Sequence, residues 1–72
     1  MSAVLATRIL DELRRAYAVS IGECSVVRPD TGQVWRVQAV SADGRERWAA
    51  EHDDHYQAVC LLATMMGFDL EN

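Results

Sequence analysis

The sequence contains no lysine, and its basic residues are all arginine. Seven arginines stand against eleven acidic residues, so the formal net charge is −4 at pH 7. A protein that binds nucleic acid without sequence preference usually carries a basic excess, because it must displace counterions from the phosphates. The charge balance therefore argues against that class and fits a basic partner, imitation of a nucleic acid's charge, or plain solubility.

Cysteines and long apolar runs are also scarce. Cys24 and Cys60 are far apart and form no CxxC pair, and the start of the chain contains Asp11 and Glu12 instead of a secretory signal. No apolar run approaches the roughly 18 residues of a membrane span. We therefore expect a cytoplasmic protein whose two thiols are reduced and buried.

The only proline begins the first of two turn signals in the middle of the chain. In the segment 29–32, Pro29 presets one turn residue and Gly32 tolerates a positive φ. The second signal, Asp43-Gly44, is typical of a two-residue hairpin loop. The strands bounded by these turns are predicted at about residues 23–28, 33–41 and 45–52.

Amphipathic helices are predicted on either side of the strands. The first spans Ser2 to about Tyr17, because apolar residues recur near the helical period, and Gly22 then breaks the pattern. Its predicted apolar stripe consists of Leu5, Ile9, Leu13, Ala16 and Tyr17.

The second helix is predicted to start near Asp54. Asp54 and Gln57 have the spacing of a capping box, and Asp53 adds negative charge at the positive helix end. Gly67 is the predicted left-handed cap at the other end, and Phe68 is expected to fold back onto the helix. The predicted apolar stripe consists of Tyr56, Val59, Cys60, Leu62, Ala63 and Met66.

The two turns also predict which residues face each other across the sheet. A four-residue loop at 29–32 sets Val26 opposite Trp35, and the Asp43-Gly44 loop sets Ala39 opposite Trp48. Side chains alternate along a strand, so one face is predicted to contain Cys24, Val26, Trp35, Val37, Ala39, Trp48 and Ala50. The other face is predicted to contain Ser25, Val27, Val34, Arg36, Gln38, Val40, Arg45, Arg47, Ala49 and Glu51.

One apolar sheet face and two apolar helix stripes predict the fold. We expect a single α+β domain over residues 1–72, of order α-β-β-β-α. Its three-stranded antiparallel sheet should carry both helices on one face, which buries all three apolar surfaces together. Trp35 and Trp48 could in principle stack on nucleic-acid bases, but their parity places them in this core.

The densest polar cluster is the segment 51–55, Glu-His-Asp-Asp-His. Its spacing matches no compact metal motif, and capping explains Asp53 and Asp54 without a metal. His55 with Cys60 could suggest a nucleophile, but Cys60 lies in the helix stripe. We therefore expect no catalytic residue, no metal and no cofactor.

The face without helices is the main predicted contact surface. Arg36 and Glu51 are predicted to form a cross-strand salt bridge on it. Arginine mixed with apolar residues is typical of protein interfaces, although a solvated sheet face has the same pattern. With an acidic rim at the start of the second helix, the candidate partner-binding residues are Arg36, Arg45, Arg47, Val34, Val40, Glu51, Asp53 and Asp54.

The order helix, three strands, helix resembles that of the double-stranded RNA-binding domain, in topology and length over most of the chain. That family grips phosphates with a lysine-rich start to its last helix, whereas the matching stretch 53–57 is acidic here, so no family residue is carried over. In size and charge the chain also resembles small acidic proteins of phages and mobile elements, anti-CRISPR inhibitors among them. That resemblance implies a protein that blocks a surface on a larger machine.

These observations favour a non-enzymatic protein-binding module, an inhibitor or adaptor of a nucleic-acid-handling machine, with no membrane partner. One alternative is a degenerate nucleic-acid binder that uses Arg28, Arg36, Arg45 and Arg47. A second alternative is a homodimer formed through the open sheet face or an edge strand.

Overall fold

The structure of the protein, a computed structural model, describes residues 2–68. The elements are α1 (Ser2–Tyr17), β1 (Ser20–Arg28), β2 (Gly32–Val40), β3 (Arg47–His52) and α2 (His55–Met65). The strands form an antiparallel sheet of order β1-β2-β3, so β1 and β3 are its edges. The predicted α+β class, element order and antiparallel sheet are confirmed. Residues 69–72, which form a short acidic tail in the sequence, lie outside the described residues.

The two helices lie on one face of the sheet and form the second of two layers. α2 packs on β2 and β3, while α1 packs mainly against α2 and also touches β1. The Cα atoms extend over 34 × 30 × 16 Å, so the molecule is a thin slab. The other sheet face carries no helix of the described chain.

The core between the layers is aliphatic and rich in alanine. Its largest fully buried side chains are Leu13, Val37, Val59 and Leu62. The other buried members of the cluster are Ala6, Leu10, Val19, Ala39, Ala50, Ala58 and Ala63, with Ile9, Ile21, Trp48, Tyr56, Met66 and Phe68 packed around them. The predicted inner sheet face is thus confirmed at Val37, Ala39 and Ala50.

The buried side of α1 differs from the predicted stripe. Ala6, Leu10 and Leu13 are buried, Ile9 is half-buried, and the predicted members Leu5, Ala16 and Tyr17 are exposed. The sequence offers two overlapping apolar stripes, and only packing chooses between them. α1 packs against α2, and the small side chain of Ala6 allows the two helices to approach closely.

α1 ends at Tyr17, and the next residue, Ala18, adopts a positive φ of 53°. The N–H of Ala18 donates to the carbonyl of Arg14 at 3.0 Å, which is the hydrogen bond of a left-handed helix cap. Glycine is the usual residue at this position, since an alanine there carries a steric cost. The predicted extent of α1, Ser2 to about Tyr17, is confirmed, but the residue that ends the helical pattern is Ala18 and not Gly22, which lies within β1.

Asp54 caps the start of α2, as predicted. Its Oδ2 accepts a hydrogen bond from the Gln57 N–H at 3.0 Å, which satisfies one of the unpaired amides of the first turn. Its own N–H donates to Nδ1 of His52 at 3.0 Å, so the end of β3 holds the cap in place.

The predicted glycine cap of α2 is also confirmed. Gly67 has a φ of 84° and donates to the carbonyl of Thr64, while Phe68 donates to that of Ala63 at 2.9 Å. This pair of hydrogen bonds is a Schellman motif. The Phe68 ring then meets the ring of Tyr17 edge to face, with centroids 6.5 Å apart, so the two helices are joined at their C-terminal ends.

The β2–β3 pairing has the predicted register. Arg36 faces Glu51, Ala39 faces Trp48 and Val40 faces Arg47. The loop is longer than predicted, because the last backbone bond joins Ser41 to Glu46 and leaves four residues in the turn. β3 therefore begins at Arg47 instead of residue 45.

The predicted register of β1 is wrong by one residue. Arg28 pairs with Gly32, whose φ of 78° places it at the start of β2, so the turn contains three residues instead of four. Cys24 consequently faces Arg36 and not Val37. A shift of one residue moves every side chain of β1 to the opposite face of the sheet.

The shift changes the surroundings of four β1 side chains. Cys24 and Val26 lie on the helix-free face, where Cys24 is exposed, while Ser25 and Val27 lie on the helix side. Val27 is nonetheless 78% exposed, since α2 lies over β2 and β3. The prediction of a buried thiol is therefore wrong for Cys24, and Cys60 is only half-buried.

Candidate interaction surface

The helix-free side of the sheet is called the open face below. From the strand registers it consists of Ser20, Gly22, Cys24, Val26, Arg28, Gly32, Val34, Arg36, Gln38, Val40, Arg47, Ala49 and Glu51. Three arginines and one glutamate give it a formal charge of +2, whereas the whole chain carries −4. Positive charge is thus concentrated on the side of the sheet away from the helices.

Glu51 is the centre of an ion-pair network on the open face. The predicted pair with Arg36 is confirmed, with Nη1 donating to Oε2 at 2.9 Å. Arg28, which the predicted register placed on the other face, also donates to Glu51, from Nε to Oε1 at 3.1 Å and from Nη2 to Oε2. Glu51 therefore links all three strands.

The network changes the acidity of its members. Hydrogen bonds from Arg28, and then from Arg36, hold the pKa of Glu51 below its usual 4.5. The hydrogen bond and charge of Glu51 in turn raise the pKa of Arg28. The three side chains are 27–43% exposed, so solvent screens them and the network contributes more to geometry than to stability.

Val34 is not the exposed contact residue that the sequence predicted. It lies on β2 between Arg28 and Glu51, and it is only 6% exposed. The aliphatic stems of arginine side chains commonly cover apolar surface in this way. Val40 is half-buried on the same face and remains partly available.

Arg47 is the arginine of the open face with the most freedom to meet a partner. Within residues 2–68 its guanidinium makes no ion pair, and it stands exposed opposite Val40. It lines a shallow depression of about 210 Å³ together with Arg36, Gln38, Val40 and Ala49. A carboxylate from another molecule could approach both guanidinium groups there.

Arg45 lies in the β2–β3 turn and not on the strand face where it was predicted. Its backbone N–H donates to Oδ1 of Asp43 at 3.0 Å, and the Ser41 hydroxyl donates to the same oxygen at 2.6 Å. These bonds, that of Ser41 first, lower the pKa of Asp43. The exposed side chain of Arg45 places a further positive charge beside Arg47.

The two residues of the predicted acidic rim, Asp53 and Asp54, have different roles. The carboxylate of Asp54 is engaged in the cap of α2. Asp53 is exposed, and its Oδ1 lies 2.9 Å from Nδ1 of His52. That nitrogen already accepts a hydrogen bond from the Asp54 N–H, so it acts as an acceptor and does not donate to Asp53. Asp53 therefore remains available to a partner, beside a depression of about 340 Å³.

A cluster on the helix side was missed by the sequence reasoning. Nε2 of His55 bonds to Oε1 of Glu23, and the imidazole meets the Trp35 ring with centroids 4.9 Å apart. Trp35 is 38% exposed, so its predicted burial in the core is wrong although its face is correct. The only signal for this cluster was the register of β1, which puts Glu23 on the helix side.

The half-buried thiol of Cys60 interacts with Tyr56 and not with His55. A hydrogen bond with Cys60 raises the pKa of the Tyr56 hydroxyl. Among residues 2–68, no three His, Cys, Asp or Glu side chains come together in a way that could hold a metal ion. Neither helix within that range combines the length and the apolar character needed to cross a membrane.

The comparisons with known proteins gave no match: no family model, no curated protein and no solved structure is similar to this chain at a significant level.

Proposed function

We propose that this protein is a binding module that docks its open face onto an acidic surface of a partner protein and catalyses no reaction. The observation that supports the proposal is the separation of charge, +2 on the open face within a chain of −4. Opposite charges on two surfaces steer their encounter and fix their relative orientation. The partner surface should therefore carry carboxylates that bind the guanidinium of Arg47 and the nitrogens of Arg36 that do not donate to Glu51.

A protein partner suits this face better than a nucleic acid. Arg28 and Arg36 both donate to Glu51, which compensates part of their charge. The neighbouring side chains include Val26 and Val40, and arginine beside apolar groups is typical of protein interfaces. The placement of three arginines on one face is what keeps nucleic acid as the second candidate.

In the more specific form of the proposal, the protein is an inhibitor or adaptor that covers a surface of a larger nucleic-acid-handling machine, of the kind that phages and mobile elements target. Only its small size and its charge support this part. An open sheet face with only shallow depressions can cover a partner surface without enclosing a substrate, which favours binding over catalysis.

The proposal is tested with the variant Arg47→Glu and the matched control Arg8→Glu, which makes the same charge change on the exposed side of α1. A tagged wild-type protein is used to capture the partner from its native cells, and the purified partner is then titrated with all three proteins. We expect Arg47→Glu to weaken binding at least tenfold, a loss of about 1.4 kcal/mol, and Arg8→Glu to leave it unchanged.

Equal affinities for the wild type and Arg47→Glu would contradict the open face as the contact surface. A loss of affinity supports it when Arg47→Glu keeps the melting temperature of the wild type, because unfolding is then not the cause. The nucleic-acid alternative is separated by titration with duplex RNA and single-stranded DNA at two salt concentrations. Binding that weakens steeply with salt would favour that alternative over a protein partner.

A further inference from the structure

β1 is a long edge strand that nothing in the described chain protects. It has nine residues, and within residues 2–68 its backbone forms no hydrogen bond with any element other than β2. Natural sheets usually shield an edge with proline, lysine, a bulge or a covering helix. β1 contains no proline or lysine, and its one carboxylate, Glu23, is turned to His55.

The other edge offers less to a partner strand. β3 has six residues, so it provides fewer backbone groups, and Ala50, one of its two middle residues, lies buried under α2. On its helix side, β1 meets α2 only where Glu23 bonds to His55, and α1 touches only a small part of the strand, so Ser25 and Val27 are exposed there. A strand could therefore pair with β1 without meeting a helix of the same chain.

Symmetry limits how a second copy could pair with β1. Two antiparallel strands related by a two-fold axis must place one residue opposite its own copy. Centring on Glu23 would set two carboxylates face to face, which is destabilising. Centring on Cys24, the middle of Ser20–Arg28, allows all nine residues to pair and gives the longest overlap.

The register centred on Cys24 is also chemically self-complementary. It sets Glu23 opposite Ser25 and Ser20 opposite Arg28, so no like charges meet. It sets Ile21 opposite Val27, and the 78% exposed side chain of Val27 would gain an apolar neighbour.

From this complementarity we propose that the chain forms a symmetric dimer in which β1 pairs antiparallel with β1 of a second copy, Cys24 opposite Cys24. Two three-stranded sheets become one six-stranded sheet. Paired residues point to the same side of a sheet, so both pairs of helices lie on one side and the two open faces join on the other. The dimer would join two open faces into one contact surface of twice the area, and its formation is independent of the proposed function.

The test is the mass of the protein in solution, measured by light scattering on a sizing column over a range of concentrations. We expect the wild type to reach twice the chain mass of 8.1 kDa. Cys24→Glu should remain a monomer, because it sets two carboxylates opposite each other, and the matched control Cys24→Ser should still dimerise. Cys24 is exposed in the single chain, so both variants should stay folded and show a cooperative thermal unfolding transition.

A monomer at every concentration would overturn the proposal, and so would a dimer that persists in Cys24→Glu, since it would use another surface. The register is checked with a short bifunctional maleimide, because directly opposed residues have Cβ atoms only about 5 Å apart. The cross-linked dimer should form in the wild type and in Cys60→Ser but not in Cys24→Ser. Equal cross-linking in Cys24→Ser would show that the thiols at the two-fold axis are not those of Cys24.

Discussion

Arg28 and Glu51 lie on the two outer strands of the sheet, and their side chains meet across the central strand, above Val34. The contact requires both turns to have their observed lengths, because a one-residue change in either register moves one partner to the other face. It therefore reports the correct pairing of all three strands at once.

Replacing Glu51 should make stability less sensitive to acid. The pKa of Glu51 is lowered in the folded state, so its contribution is present above the usual value of 4.5 and is lost as pH falls through the lower folded value. We expect Glu51→Gln to melt at a lower temperature than the wild type near neutral pH and to converge with it in acid. Melting by circular dichroism between about pH 7 and about pH 3 measures this difference.

Asp43 provides a comparison, because its pKa is lowered by Ser41 and by a backbone N–H and not by an arginine. Asp43→Asn should converge with the wild type in the same acidic range. Added salt should reduce the effect of Glu51→Gln more than that of Asp43→Asn, since salt screens ion pairs between exposed groups. A wild type and Glu51→Gln that keep the same separation at all pH values would contradict the role assigned to Glu51.

Ala18→Gly should stabilise the protein. Ala18 adopts a positive φ that glycine accepts without steric cost, while the greater freedom of glycine in the unfolded chain offsets part of the gain. We expect a net gain of roughly 0.5–1 kcal/mol in the free energy of unfolding, measured with urea. The control Ala16→Gly, at an exposed position inside α1, should lose about 1 kcal/mol.

Asp54→Ala should destabilise the protein through the cap of α2. Loss of the hydrogen bond to the Gln57 N–H is expected to cost about 1 kcal/mol of unfolding free energy. Asp53→Ala is the matched control, because it removes the same charge from an exposed neighbour and should change stability by less than about 0.5 kcal/mol. Equal losses in the two variants would point to a general charge effect at the helix start.

Leu62→Ala should remove most of the stability of the domain. Leu62 is fully buried, and its truncation should cost about 2–5 kcal/mol, which is most of what so small a core supplies. The adjacent Leu61 is 44% exposed, so Leu61→Ala is the natural control and should have a much smaller effect. The comparison checks which side of α2 faces the sheet.

The sequence predicted the number, order and type of the elements, both ends of α2 and the pairing of β2 with β3. Its two loop lengths were both wrong, with different consequences. Four residues in place of two after Ser41 is an even change, so the faces of β3 were still correct. The turn after Arg28 has three residues in place of four, which is an odd change, so the predicted faces of β1 were reversed. For this reason the sequence predicted neither the exposure of Cys24 nor the contact of Arg28 with Glu51.

Other features could not be predicted because they depend on where α2 lies. The contact with α2 selects the stripe of α1 that contains Ala6 and leaves Leu5 exposed. α2 begins beside Trp35, so that ring meets His55 instead of entering the core. Neither effect leaves a trace in local periodicity, which describes one element at a time.

The aliphatic core has a practical consequence for spectroscopy. The only tryptophans are Trp35, which is 38% exposed, and Trp48, which is half-buried at the edge of the core. Since both indoles already contact water in the native protein, their emission should lie toward long wavelength and shift little on unfolding. Backbone circular dichroism will therefore follow the unfolding transition better than intrinsic fluorescence.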